Sequence, residues 1–157
     1  YSNALNNTDL SGPTLFAPML HKAMEIAQYN KAHGSVEYTI LLLITDGEIH
    51  DMESTINCLI KSADLPLSVI IIGVGKEDFT KMKILDGDSG LVNAQGVKAD
   101  RDLVQFVPFR DFQNDSEKLA QHVLEEVPAQ LTQYMERIGI KPKSVPQFSL
   151  SMIRSQV

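Results

Sequence analysis

Tyr38-Thr39-Ile40-Leu41-Leu42-Leu43-Ile44-Thr45-Asp46-Gly47 decides the architecture. Its apolar side chains do not alternate with polar ones, so a strand formed here needs cover on both faces, as a central strand of a parallel sheet has. The run ends in a threonine, a carboxylate and a glycine. Asp46 therefore falls at the carboxyl edge, where open α/β sheets bind their ligands. Working outward, Leu67 to Ile72 has the same β-branched density behind Pro66, a residue tolerated at a strand entrance. Leu103 to Val107 reads as a third strand, and Gln105 inside it predicts a partly wet face nearer an edge. Between the strands, Met52, Ile56, Leu59, Ile60 and Ala63 recur at helical spacing, and Phe79, Met82 and Leu85 do so more briefly. Strand, helix, strand, helix, strand implies right-handed crossovers and an α/β layer fold.

Upstream, Pro18 fits best as the first residue of a helix that turns Met19, Leu20, Ala23, Met24 and Ala27 to the sheet, leaving Gly12 to Ala17 as a loop. Downstream, the apolar stripe Leu119, Val123, Leu124, Val127, Leu131, Tyr134 and Ile138 predicts one long amphipathic helix, kinked where Pro128 removes a ladder donor. Asp86 to Arg101 is a glycine-bearing excursion that can hold a hairpin. Residues 141–157 carry no sustained pattern and read as a solvated, mildly basic tail, which puts the domain at residues 1–140.

Composition narrows the function. Of 157 residues, 43% are hydrophobic and 22% charged, the balance of one globular domain. The net charge of -6 disfavours nucleic acid, which needs a basic face, and favours a cation as electrostatic partner. The longest apolar run, Ile40 to Ile44, is far shorter than the ~20 residues of a membrane-spanning helix, and no leader pattern is recognised. The single cysteine, Cys58, sits in an apolar stretch as a buried thiol and is compatible with a reducing cytosol. The chain opens on Tyr1, and the expectation is a part of a longer protein.

Two residues stand out chemically. Asp46 has Gly47 beside it, which lets the backbone approach a ligand, and Glu48 and Asp51 add negative potential; the competing reading is an Asx turn or a helix cap. Thr14, in Ser11-Gly12-Pro13-Thr14, lies outside the helix opened by Pro18, so its hydroxyl is not consumed as a cap. A hydroxyl and a carboxylate suit a hard cation such as Mg²⁺. His21, His33, His50 and His122 lack zinc-type spacing and read as surface residues. Gly73-Val74-Gly75 needs a glycine at the position of Asp78 to cradle a dinucleotide, and Asp86-Gly87-Asp88-Ser89-Gly90 reads as a turn instead of a calcium loop. The Asn6 and Asn114 acceptor patterns are of the kind common by chance, and no nucleophile elbow is present. An alternative from another class is a metal-assisted phosphohydrolase using Asp46 and Glu48, which lacks a phosphate-cradling loop.

Leu10 to Pro18, Leu42 to Gly47, Leu65 to Gly75 and Asp102 to Arg110, with Leu85 to Asp88 and Val123 to Pro128, together resemble the copine family over nearly all of residues 1–140. The resemblance implies a von Willebrand factor A-type domain, a doubly wound, Rossmann-like parallel sheet of which this chain supplies about half. It further implies a metal-ion-dependent adhesion-type site for Mg or Mn, in which Thr14 matches the family's threonine and Asp46 its aspartate. The accompanying Asp-x-Ser-x-Ser loop is absent, and Glu48 replaces a small or apolar residue. Copines bind phospholipid membranes through C2 domains when calcium is present. The expected role is thus a non-catalytic module that binds intracellular proteins, cytoplasmic and recruited to the plasma membrane on a calcium rise. Without its neighbours, the strand at Tyr38 to Ile44 is expected to expose an unpaired edge beside an apolar face.

Overall fold

The computed structural model describes residues 12–87 and 90–141 together with Asn3, Asn6 and Asn7. Helix α1 (Ala17–Ala32) leads into β1 (Thr39–Thr45), α2 (Met52–Ser62), β2 (Leu67–Gly73), α3 (Thr80–Asp86) and β3 (Val104–Pro108). A 3-10 turn at Phe109–Phe112, α4 (Ser116–Val123) and α5 (Val127–Arg137) follow. The strands form a parallel sheet in the order β1-β2-β3. This is the α/β architecture that the strand and helix spacing predicts, a partial Rossmann-like sheet with helices on both faces.

Register assigns each side chain to a face. Leu41 and Leu43 lie beside Val69 and Ile71, which lie beside Val104 and Phe106. That face joins one apolar cluster with Leu20, Ala23, Met24 and Ala27 of α1, Cys58 and Leu59 of α2, and Met82 and Leu85 of α3. On the opposite face, Ile40, Leu42 and Ile44 align with Ser68, Ile70 and Ile72. Over β2 this face is covered, with Ile70 only 3% exposed. Over β1 it is bare: Ile40, Leu42 and Ile44 are 46%, 51% and 66% exposed. Among the described residues β2 is the only strand beside β1, so β1 is an edge here and not a central strand.

Three further expectations are corrected. Helix α1 starts at Ala17, which places Pro18 in its second position, where a missing N–H still costs nothing. The buried stripe then runs through Ala17, Leu20, Ala23, Met24 and Ala27, while Met19 faces solvent. The predicted kinked helix is two helices, because Pro128 sits in the first turn of α5 and starts it. Gln105 is buried, not partly wet. With its amide turned as the surrounding acceptors dictate, it donates to Glu126 at 2.7 and 3.0 Å, while Gln130 beside it accepts from Ser68 Oγ at 2.5 Å. These polar groups on one face are satisfied by α5 and its lead-in.

The excursion after α3 does contain a small hairpin, with Val92 bridged antiparallel to Lys98. It leads to Arg101, a buried guanidinium that sequence reading did not single out. Arg101 donates to the carbonyls of Ala63, Leu65 and Leu67 at 3.0, 2.9 and 2.6 Å, so the carboxyl end of α2 and the entry to β2 share one cation. The turn reading at Asp88 and Ser89 and the tail beyond Lys141 lie outside the described residues, as do Thr8 of the first acceptor pattern and Ser11.

Candidate metal centre at the carboxyl edge

Parallel strands end together at Thr45, Gly73 and Pro108, and the loops that leave them form one rim. Asp46 follows β1 directly and is exposed there. Its Oδ1 accepts the Glu48 amide at 3.2 Å, so the Asx turn anticipated as the competing reading is present. The second carboxylate oxygen makes no hydrogen bond among the described residues. Asp46, Gly47, Glu48, Glu77, Asp78 and Lys81 line an open hollow of about 490 Å³. Hydrogen bonds from the hydroxyl and amide of Thr80 hold the Asp78 carboxyl below its usual range. Lys81 reaches across to the carbonyl of Ile49 at 3.0 Å and so ties α3 to the Asp46 loop.

Gly47 has φ +102°, and a Cβ there would meet the Phe79 ring at 2.7 Å. A Cβ on Gly73 would meet the same ring at 2.8 Å. The close backbone approach that glycine permits at position 47 is therefore used by Phe79, itself fully buried, and not by a ligand. The two glycines let one aromatic ring seal the floor under the rim.

Thr14 lies in the loop before α1, half-buried, and its hydroxyl has no hydrogen-bond partner among the described residues. Its main chain is fastened to the Asp46 loop at both polar groups. The Thr14 amide donates to His50 Nδ1 at 3.1 Å, and the His50 amide donates to the Thr14 carbonyl at 3.0 Å. Two residues on, the amides of Phe16 and Ala17 donate to the two carboxylate oxygens of Asp51 at 2.9 and 2.8 Å. The structure thus brings the loops of Thr14 and Asp46 together on one rim, and records no contact between the two side chains. His50 is exposed, as its sequence reading holds, but its ring is engaged with Thr14 and lies 3.4 Å from Glu48 Oε1. Asp51, read from sequence as part of the loop's negative potential, is instead a clamp. No local signal could reveal either bond, because the partners are more than thirty residues apart in the chain.

The donor chemistry fits a hard divalent cation: one neutral hydroxyl and one carboxylate oxygen, both unengaged, on loops that share an edge. Among the described residues no three His, Cys, Asp or Glu side chains converge, so two protein oxygens leave most of an octahedral shell to water or to other groups. Cys58 is buried as expected, with its Sγ 3.4 Å from His21 Nε2, and burial pushes its thiol above the ordinary range. It lies in the core and not at this rim.

Comparison with known proteins places these loops in a family. The copine family model matches residues 1–143. Nicotinic receptor-associated protein 1 of Caenorhabditis elegans is 49% identical over 156 aligned residues, covering 92% of this chain and 24% of its own length. Copine-A of Dictyostelium discoideum is 44% identical over 142 residues, covering 90% of this chain and 24% of its own length. Protein BONZAI 1 of Arabidopsis thaliana is 46% identical over 144 residues, covering 90% and 25%. The chain spans about a quarter of the length of these relatives.

Proposed function

The chain belongs to the copine family, and on that premise we propose that it is part of a calcium-dependent phospholipid-binding copine, in which these residues form a non-catalytic protein-interaction module with a Mg²⁺ or Mn²⁺ site of adhesion type. The observation that carries the reading is the pairing of two unengaged oxygens, the Thr14 hydroxyl and one Asp46 carboxylate oxygen, on loops fastened to each other at the carboxyl edge. Thr14 would hold the ion as a neutral ligand and Asp46 as an anionic one. A bound ion supplies an open coordination position for a carboxylate of the partner.

In this reading the unpaired edge and bare face of β1 are covered by further strands of the intact domain. Calcium and phospholipid act through C2 domains elsewhere in the protein, which is cytoplasmic and moves to the plasma membrane when calcium rises. The name of the nematode relative, a receptor-associated protein, supports protein partners for the module. The phosphohydrolase alternative is the weaker reading, since Glu48 lies against His50 and the hydroxyl–carboxylate pair at the rim, Thr80 with Asp78, belongs to a local turn closed by the Thr80 amide at the start of α3.

Titrating magnesium into the intact protein and its Asp46→Ala variant tests the site. Affinity is expected to fall at least about tenfold, as loss of a direct ligand should exceed the ~10-fold lower bound for losing a supporting residue. Equal affinities would remove Asp46 from the site.

A further inference from the structure

The geometry points to Asp51 as a positioning residue of this metal centre: its carboxylate holds the Thr14 loop at a fixed distance from Asp46. The inference rests on the cation reading above and adds a residue to it. Asp51 occupies the N-cap position of α2, yet its side chain makes no capping bond to its own helix. The carboxylate reaches instead to the start of α1, where Phe16 at the N-cap offers no side-chain acceptor. There it takes the first amides of that helix, Phe16 and Ala17, one on each oxygen. Helix starts leave such donors orphaned and carry partial positive charge, so a carboxylate is the fitting acceptor.

Asp51 is itself held by α2. Thr55 donates its amide to the Asp51 carbonyl at 2.9 Å and its hydroxyl to Oδ1 at 3.3 Å. Thr14 is two residues from the clamped amides, and Asp46 is five residues from the clamp. With the adjacent His50 bonds to the Thr14 main chain, the spacing between the two candidate ligands is set by one ladder of hydrogen bonds. Mg²⁺ demands near-ideal octahedral geometry, so a loosened loop costs affinity even with both ligands intact.

The test uses the intact protein and four variants, with Mn²⁺ affinity measured by calorimetry and amide hydrogen exchange at Phe16 and Ala17. Asp51→Asn keeps the shape but only one acceptor oxygen, and is expected to weaken Mn²⁺ about tenfold, as loss of residues that orient ligands does, while the two amides exchange faster. Asp51→Glu keeps both oxygens on a longer arm and is expected to lose affinity several-fold with the fold intact, which decides the matter if the asparagine variant does not fold. Ser62→Ala removes a buried hydroxyl that donates to the Cys58 carbonyl at the far end of α2, and is expected to lower the Tm with affinity unchanged. Asp51 variants with wild-type affinity, alongside an Asp46→Ala variant that has lost binding, would overturn the positioning role and leave the cation site standing. An Asp46→Ala variant that still binds would overturn both.

Discussion

β1 and β2 are written in nearly the same alphabet, Thr-Ile-Leu-Leu-Leu-Ile-Thr and Leu-Ser-Val-Ile-Ile-Ile-Gly, and end in opposite circumstances. β2 is buried at every position but one, while alternate residues of β1 face solvent. Composition states what a strand requires; its neighbours decide whether the requirement is met. β2 has a strand on each side and helices above and below. β1 has one strand neighbour among the described residues and helices on one face only. Moving a Leu or Ile side chain from water to a core is worth ~1.5–3 kcal/mol, so the three bare residues of β1 represent a debt comparable with much of a domain's ~5–15 kcal/mol stability.

The largest consequence concerns the chain on its own. The 157 residues are expected to give no cooperative thermal transition and to self-associate through the β1 edge. A sharp, reversible melt of a monomer in calorimetry and sedimentation would break the comparison, since β1 would then be content as an edge. Next in size are two substitutions in the intact protein. Ile71→Ala and Leu42→Ala are each expected to cost about 2–5 kcal/mol in denaturant unfolding, the range for deleting buried apolar volume. A Leu42→Ala cost below ~0.5 kcal/mol, typical of surface positions, would show that its face stays open.

Arg101 sharpens the comparison at the other end of the strands, because it ties only the β2 side. Arg101→Met leaves the buried carbonyls of Ala63, Leu65 and Leu67 without this donor and is expected to cost about 1–3 kcal/mol by the same unfolding measurement. The smallest effect is the pH response of the core under β2. Burial raises the Cys58 thiol above its ordinary 9.0, so its contribution is intact below 9.0 and is lost as pH rises beyond it, when the unfolded chain alone releases the proton. The alkaline fall in Tm is expected to be shallower in Cys58→Ala, and alkylation of Cys58 near neutral pH to be slow until the protein unfolds.

Much of this fold is legible from local pattern. Apolar and β-branched density places all three strands within a residue or so, and helical spacing places α2 and α3, because such patterns are local properties of the chain. Asp46 at the end of β1 follows from the same reasoning. What local pattern could not carry was pairing across the fold. Gln105 reads as wet because Glu126 lies outside its strand; Arg101 does not stand out because its carbonyl partners precede it by more than thirty residues. Pro128 was assigned a kink where it opens a helix, a choice that depends on whether Leu124 to Glu126 break the preceding turn. His50 and Asp51 were legible as polar loop residues, but their grip on the Thr14 loop was not.

The central claim, that a hydroxyl and a carboxylate from two loops serve one ion at the rim of the sheet, is open to a direct measurement. Substoichiometric Mn²⁺ added to the isotope-labelled intact protein broadens amide signals close to the bound ion. The account expects the signals of Thr14 and Asp46 to broaden together and first, with those of Arg101 at the opposite end of β2 unaffected. Broadening at one loop without the other, or at neither, would contradict it.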